Sequence, residues 1–268
     1  MINRINAAAE RSGFVNTVNV RGLEIGTGRP KIAVPLTGAA REDLIAQANA
    51  LPGLGADLAE WRMDCFAQVE NGAAVAACLR DLRRSLGEMP LLATFRTDRE
   101  GGAHPLSAQS YAALNETVLS SGQADLIDVE LFSDGDCVPH LIAAAHSAGV
   151  SVVLSSHDFE KTPPKDELVH RLCRMQELGA DLLKIAVMPR CRNDVLTLLQ
   201  ATEEMLSRHA RTPLITMSMG DLGMVTRICG GFFGSAVTFG AATQASAPGQ
   251  LPLERLHTLL SLMPFPNG

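Results

Sequence analysis

Eight short apolar runs, each followed by an amphipathic stretch, succeed one another without a linker from residue 31 onward. No other feature constrains the fold as tightly. The runs are Lys31–Gly38, Ala56–Asp64, Pro90–Thr97, Ala124–Phe132, Val150–Phe159, Ala180–Pro189, Pro213–Met219 and Ala236–Ala242. The spacing predicts helices over Arg41–Leu51, Ala73–Leu86, a segment from near Ser107, Pro139–Ala148, Lys165–Leu178, Asn193–Ala210, Leu222–Ile228 and Leu253–Leu262. The runs are nearly continuous in hydrophobicity, as parallel strands buried on both faces must be. Gly122, Gly149 and Gly179 fall where a helix must stop before the next strand. Eight βα units in series are the signature of an α/β fold of the (β/α)8 TIM-barrel type. A hairpin over Val15–Gly28 is expected to precede the barrel and close its floor. The alternative, an open doubly wound sheet, rarely reaches eight strands without a nucleotide loop, and no G-x-G-x-x-G or P-loop follows an early run. The expected division is an N-terminal tail over residues 1–14 and one catalytic domain over 15–268.

Composition narrows the function. With 268 residues and 46% hydrophobic content, the chain can bury a core without disulfides or a structural metal. Its net charge of −6 offers no footprint for nucleic acid or an anionic membrane. No stretch approaches the ~20 apolar residues of a membrane span, and Met1–Phe14 lacks the apolar core of a targeting signal. Six cysteines without a C-x-x-C pair read as reduced thiols, so a cytoplasmic location is expected.

In such a barrel the chemistry lies at the C-terminal ends of the strands. That filter selects Glu60, Arg62, Asp64, Arg96, Asp128, Glu130, His157, Asp158 and Lys184. Lys184 is the sharpest of these, because it sits inside Leu182–Val187 in a chain with four lysines and nineteen arginines. Burial disfavours an ammonium, which suits an amine that must attack a carbonyl. The structural alternative is a buried salt bridge, with Glu130 or Asp158 as partner. His157 ends the neighbouring strand, only ~4.8 Å across the sheet, and imidazole moves protons near neutral pH. Glu60 and Arg62 are two apart, hence on one strand face. With Arg96 they could hold hydroxyls and a carboxylate, or form an ion-pair network capping the barrel. No metal-ligand spacing and no G-x-S-x-G elbow occurs, so neither a metal nor a serine triad is expected.

These residues stand in segments that resemble the type I 3-dehydroquinate dehydratases over more than nine-tenths of the chain. The segments are EWRMD (60–64), ATFRT (93–97), REGG (99–102), DLIDVELF (125–132) and SSHDF-x-KTP (155–163). They continue with RMQELGADLLKIAVMP (174–189), ITMSMGDLGMVTR (215–227), FGSAVTFG (233–240) and ASAPGQ (245–250). The resemblance implies an imine-forming Lys184, a general acid/base His157 and Glu100 orienting the histidine. It implies substrate binding by Glu60, Arg62, Arg96, Arg227, Ser246 and Gln250, with Arg227 on the substrate carboxylate and 245–250 closing over the ligand. The implied reaction is syn elimination of water from 3-dehydroquinate, giving 3-dehydroshikimate, with no cofactor and no metal. The implied assembly is a homodimer, with no nucleic-acid or membrane partner. Pro35, Thr37 and Glu160 depart from the family pattern at the mouth. A class I Schiff-base aldolase acting on a small carbonyl substrate is the alternative, because it shares the barrel lysine. A barrel kept for sensing is a third reading, opposed by the presence of all three proposed catalytic side chains.

Overall fold

The structure, a computed structural model, describes residues 15–265 except Asp134 and Gln244. The expected tail over 1–14 lies outside the described residues. A two-stranded antiparallel hairpin, β1 (Val18–Val20) and β2 (Leu23–Ile25), comes first. The barrel strands are β3 (Lys31–Leu36), β4 (Leu58–Arg62), β5 (Leu91–Thr94), β6 (Leu126–Glu130), β7 (Ser151–Asp158), β8 (Leu182–Val187), β9 (Leu214–Ser218) and β10 (Val237–Ala241). From β3 to β9 each strand pairs in parallel with the next, and β10 pairs in parallel with β3. The seam between β9 and β10 is closed by a Leu214–Ser235 bridge and by the Ala236 amide donating to the Leu214 carbonyl at 2.7 Å.

Helices wrap the outside: α1 (Arg41–Ala50), α2 (Gly72–Leu86), α3 (Ala108–Ser121), α4 (Cys137–Ser147), α5 (Lys165–Glu177), α6 (Arg192–Arg208), α7 (Gly220–Cys229) and α8 (Leu253–Ser261). Their starts carry local signals: Asn71 caps α2 and Ser107 caps α3, each accepting a first-turn amide. Gly122 at the end of α3 takes φ 64°, which glycine adopts without strain. A two-residue strand, β11 (Leu251–Pro252), lies parallel to β10 at the mouth. It anchors the far end of the 245–250 loop.

Alternation along the strands divides the core in two. Outward residues such as Trp61, Leu91, Val129 and Leu154 pack under the helices. Inward residues Ala33, Leu58, Leu92, Leu126, Val153, Leu182 and Val237 pack with Val20 and Ile25 of the hairpin. The hairpin therefore seals the floor with apolar side chains, as the sequence predicts.

The floor also holds a repeat that hydrophobic periodicity does not reveal. Ala-Asp-Leu occurs at 56–58, 124–126 and 180–182, just before β4, β6 and β8. In each, the aspartate amide donates to the preceding strand, to Ile32, Leu91 and Val152 respectively. The carboxylate accepts the amide of that same residue at 2.7, 2.9 and 2.7 Å. These two-way clamps fix strand register in alternate strand pairs. Asp125 additionally takes Arg21 of the hairpin turn and Arg83 of α2. Asp125→Ala would leave a buried amide and a guanidinium unpaired, at an expected cost of about 2–4 kcal/mol. Calorimetry should show Tm falling by roughly 5–10 °C, with the opposite, C-terminal end of the barrel left as it is.

Candidate active site

Two residues above the apolar layer, the same inward faces present Glu60, Thr94, Asp128, Ser155 and Lys184. Two residues further stand Arg62, Arg96, Glu130 and His157. Period two alone thus turns an apolar floor into a charged interior. The layer is also cross-linked. Lys184 Nζ lies 3.0 Å from Asp128 Oδ2 and 3.6 Å from Glu60 Oε1, and 4.8 Å from the centre of the Phe239 ring. This corrects the expected salt-bridge partners: Glu130 is taken by Arg96 and Thr97. Asp158 turns away from the barrel, accepting the amides of Glu160 and Lys161. The lysine sits against two carboxylates rather than in the purely apolar surroundings its strand sequence suggests.

Arg96 is buried and donates to Asp128, Glu130, Ser155 and Glu100 at 2.8, 2.9, 3.0 and 3.5 Å. Burial disfavours its charge, but the three carboxylates outweigh that and hold it firmly cationic. Burial pushes the Asp128 carboxyl up, while Arg96 and Lys184 leave it below the usual carboxylate range, so it stays ionised.

Glu100 comes from the short 3-10 turn Asp98–Glu100 after β5. Its Oε2 accepts the His157 amide at 3.0 Å and faces His157 Nδ1 at 2.8 Å. An oxygen already accepting the backbone proton suits Nδ1 as a second donor, which leaves Nε2 as the bare, basic nitrogen. Burial pushes the Glu100 carboxyl up to about 8 against the pull of Arg96, with Glu130 and Asp128 adding to the rise. Burial, helped by the charges of Arg96, Lys184 and Arg62, holds the His157 imidazolium well below its ordinary range. At neutral pH the pair therefore presents a neutral, oriented imidazole.

Arg227, on α7, is fully buried, and among the described residues no carboxylate meets it. Its Nη2 donates to the Pro248 carbonyl at 3.0 Å, Nη1 faces Met217 Sδ at 3.6 Å, and Nε has no partner. Burial alone pulls this guanidinium down to about 10. Pro248 belongs to the loop over the mouth, where Gln250 binds Ser246 and the Ser246 carbonyl faces Arg62. Gly249, at φ 76°, lies so close to Gly220 that a Cβ would come within 2.4 Å of its carbonyl oxygen.

Glu60, Arg62, Arg96, Glu100, His157, Lys184, Arg227, Ser246 and Gln250 all line one pocket, closed further by Phe159, Met217 and Phe239. Residue type and strand position found five of the nine. Glu100, Arg227, Ser246 and Gln250 lie in turns, a helix and a loop, where polar residues are commonplace, and only the family motifs single them out. Pro35, opposite Glu60 in register, and Thr37 do not line this pocket. Among the described residues no group of side chains suits a metal ion.

An uncompensated buried cation costs stability until an anion meets it. Arg227→Met is expected to keep or raise Tm, whereas a point change ordinarily costs about 1 kcal/mol. Calorimetry without ligand checks this, and a marked fall in Tm would show that the contacts to Pro248 and Met217 outweigh the burial.

The family model described as type I 3-dehydroquinase matches residues 32–264. The 3-dehydroquinate dehydratase of Syntrophotalea carbinolica is 51% identical over 247 residues, covering 92% of this chain and 98% of its own. Among solved structures, the type I 3-dehydroquinate dehydratase of Clostridium difficile with covalently modified comenic acid superposes with a TM-score of 0.90. It is 48% identical and covers 93% of this chain and 98% of its own. The 3-dehydroquinate dehydratase of Geobacillus kaustophilus gives a TM-score of 0.89 at 40% identity, covering 92% and 96%. A charged barrel interior built around a lysine, a histidine–glutamate pair and a carboxylate-free arginine is thus set in a chain that belongs to the type I 3-dehydroquinase family.

Proposed function

We propose that this chain is a hydro-lyase that converts 3-dehydroquinate to 3-dehydroshikimate through an imine on Lys184. The observation that carries the reading is the lysine on the inner wall of the pocket that also holds the His157–Glu100 pair and Arg227. An α-proton beside a ketone is too weakly acidic to leave readily at neutral pH. Attack by the Lys184 amine on the C3 carbonyl, once Nζ has passed a proton to a neighbouring carboxylate, followed by loss of water and return of that proton, gives a protonated imine that withdraws electrons from C2. Asp128 and Glu60, at 3.0 and 3.6 Å, are the bases in reach of the proton Nζ must shed.

Nε2 of His157 then takes the C2 proton, leaving an enamine, and Glu100 keeps the ring aligned. The enamine expels the C1 hydroxyl, which receives that proton from His157 and departs as water. Water finally hydrolyses the imine, freeing the conjugated ketone and the amine. Arg227 takes the substrate carboxylate, which supplies the anion its burial lacks. Glu60, Arg62, Arg96, Ser246 and Gln250 hold the ring hydroxyls and the closed loop.

The aldolase alternative needs a grip on a phosphorylated chain. The nearest candidate, the amide of Gly220 at the start of α7, donates to Pro248 of the loop. We read residues 15–268 as one catalytic unit. Cysteines that form no disulfide among the described residues, together with the absence of any described helix long and apolar enough to cross a membrane, support a cytoplasmic setting. Family kinship and the exposed Leu222 and Val225 on one face of α7 support a homodimer.

The direct test follows ultraviolet absorbance of the enone after adding 3-dehydroquinate to purified protein with chelator present. A rising signal is expected, and a flat trace from folded protein would sink the reading. Lys184→Ala should lose turnover by a factor on the order of 10⁴ or more, since the covalent route is gone. Borohydride should add a ligand-sized mass at residue 184 of the wild type and none to the variant. A separate expectation follows from the depressed imidazolium: a cationic acid with lowered pKa remains a neutral base further into acid. The acid limb of kcat/KM assigned to His157 should therefore lie below the ~6.5 of free imidazole. A limb above that value would contradict the neutral pair.

A further inference from the structure

Asp64 stands just past the end of β4, in the 3-10 turn Met63–Cys65, and its side chain is fully buried. Its two oxygens meet donors from three separate elements. Oδ1 accepts Arg62 Nε at 2.8 Å and the Arg96 amide at 3.5 Å. Oδ2 accepts Arg62 Nη2 at 2.7 Å and the Ala103 amide at 2.9 Å. Burial pushes this carboxyl up, yet the hydrogen bonds and charge of Arg62 leave it below the usual range, so both oxygens are acceptors.

Each contact has a distinct consequence for the pocket. The paired bonds to Nε and Nη2 lock the Arg62 fork and leave Nη1 facing the Ser246 carbonyl at 3.5 Å. The bond to Ala103 closes the segment that carries Glu100. That segment folds back tightly on the end of β5: the amides of Glu100 and Gly102 both donate to the Thr97 carbonyl, and a Cβ on Gly102 would overlap the Arg96 carbonyl. Glu100 in turn orients His157.

On the reading of the reaction given above, we infer that Asp64 is a positioning residue that ties the arginine at the rim to the turn that aims the general base. Nothing but a carboxylate fits the position. An amide has one acceptor oxygen and one donor nitrogen. Whichever way an asparagine is flipped, its NH2 group faces either Arg62 Nη2 and the Ala103 amide, or Arg62 Nε and the Arg96 amide. Asp64 itself touches no reacting atom. Its loss acts through Arg62 on substrate binding and through Glu100 on proton transfer.

The test is steady-state kinetics of the full-length Asp64→Asn and Asp64→Glu variants with 3-dehydroquinate, alongside Glu100→Gln and the double variant Asp64→Asn/Glu100→Gln. Asp64→Asn should raise KM and lower kcat together, with kcat/KM falling on the order of 10- to 100-fold, the scale of one lost charge-assisted hydrogen bond. Borohydride trapping at residue 184 should persist, because the imine does not depend on this contact. If Asp64 acts through the Glu100 turn, its effect on kcat should shrink in the Glu100→Gln background. Asp64→Glu tests whether charge at a longer reach restores KM. Wild-type kcat and KM with only a lowered Tm would overturn the inference and leave a structural role. Fully multiplicative effects on kcat would overturn the link to Glu100. A wild type without turnover would instead refute the proposed reaction, so the two failures are distinct.

Discussion

The buried guanidinium of Arg96 makes the rest of this interior possible. A carboxylate removed from water is very costly unless a cation and hydrogen bonds meet it. Arg96 reaches Asp128, Glu130 and Glu100 at once, and so permits acids from β6 and from the turn after β5 to share one desolvated space. With Asp128 ionised beside it, Lys184 has a fixed partner in the middle of a strand that is otherwise apolar. Glu100, last in the reach of Arg96 at 3.5 Å, is the acid left with a raised affinity for its proton.

Most of the scaffold was legible from pattern. Runs such as Ala180–Pro189 became strands trimmed by a residue or two, because a strand ends where its ladder of hydrogen bonds ends, while hydrophobicity spills into the flanking turns. The hairpin and the barrel order were equally readable, since burial on both faces leaves few options. The site was legible where a charge interrupts a strand, as at Lys184 and Arg96. It was not legible where contact depends on two strands meeting in register. The partner of Lys184 comes from β6, two strands away, and only the closed barrel brings Asp128 to it. Arg227 was invisible for another reason. Its sequence context is an amphipathic helix with an ordinary surface arginine, and its burial comes from packing against β9 and the loop after β10.

The loop over the mouth shows how the site manages an arginine with no anion. Pro248 and Ser246 lend backbone carbonyls to Arg227 and Arg62. A carbonyl is a weaker partner than a carboxylate, so the Pro248 contact holds Arg227 in place without satisfying it, whereas Arg62 already has Asp64. The glycine at 249 permits the loop to lie directly on the start of α7.

The hairpin across the floor has a consequence for traffic. With Val20 and Ile25 plugging one end of the cylinder, the pocket opens, among the described residues, at the mouth where Ser246 and Gln250 stand. Arrivals and departures then cross the same threshold. A change that only makes this threshold easier to cross, leaving both end states alone, must hasten capture and escape by one common factor. Such a change would alter the pace of the enzyme at low substrate while leaving its affinity where it was.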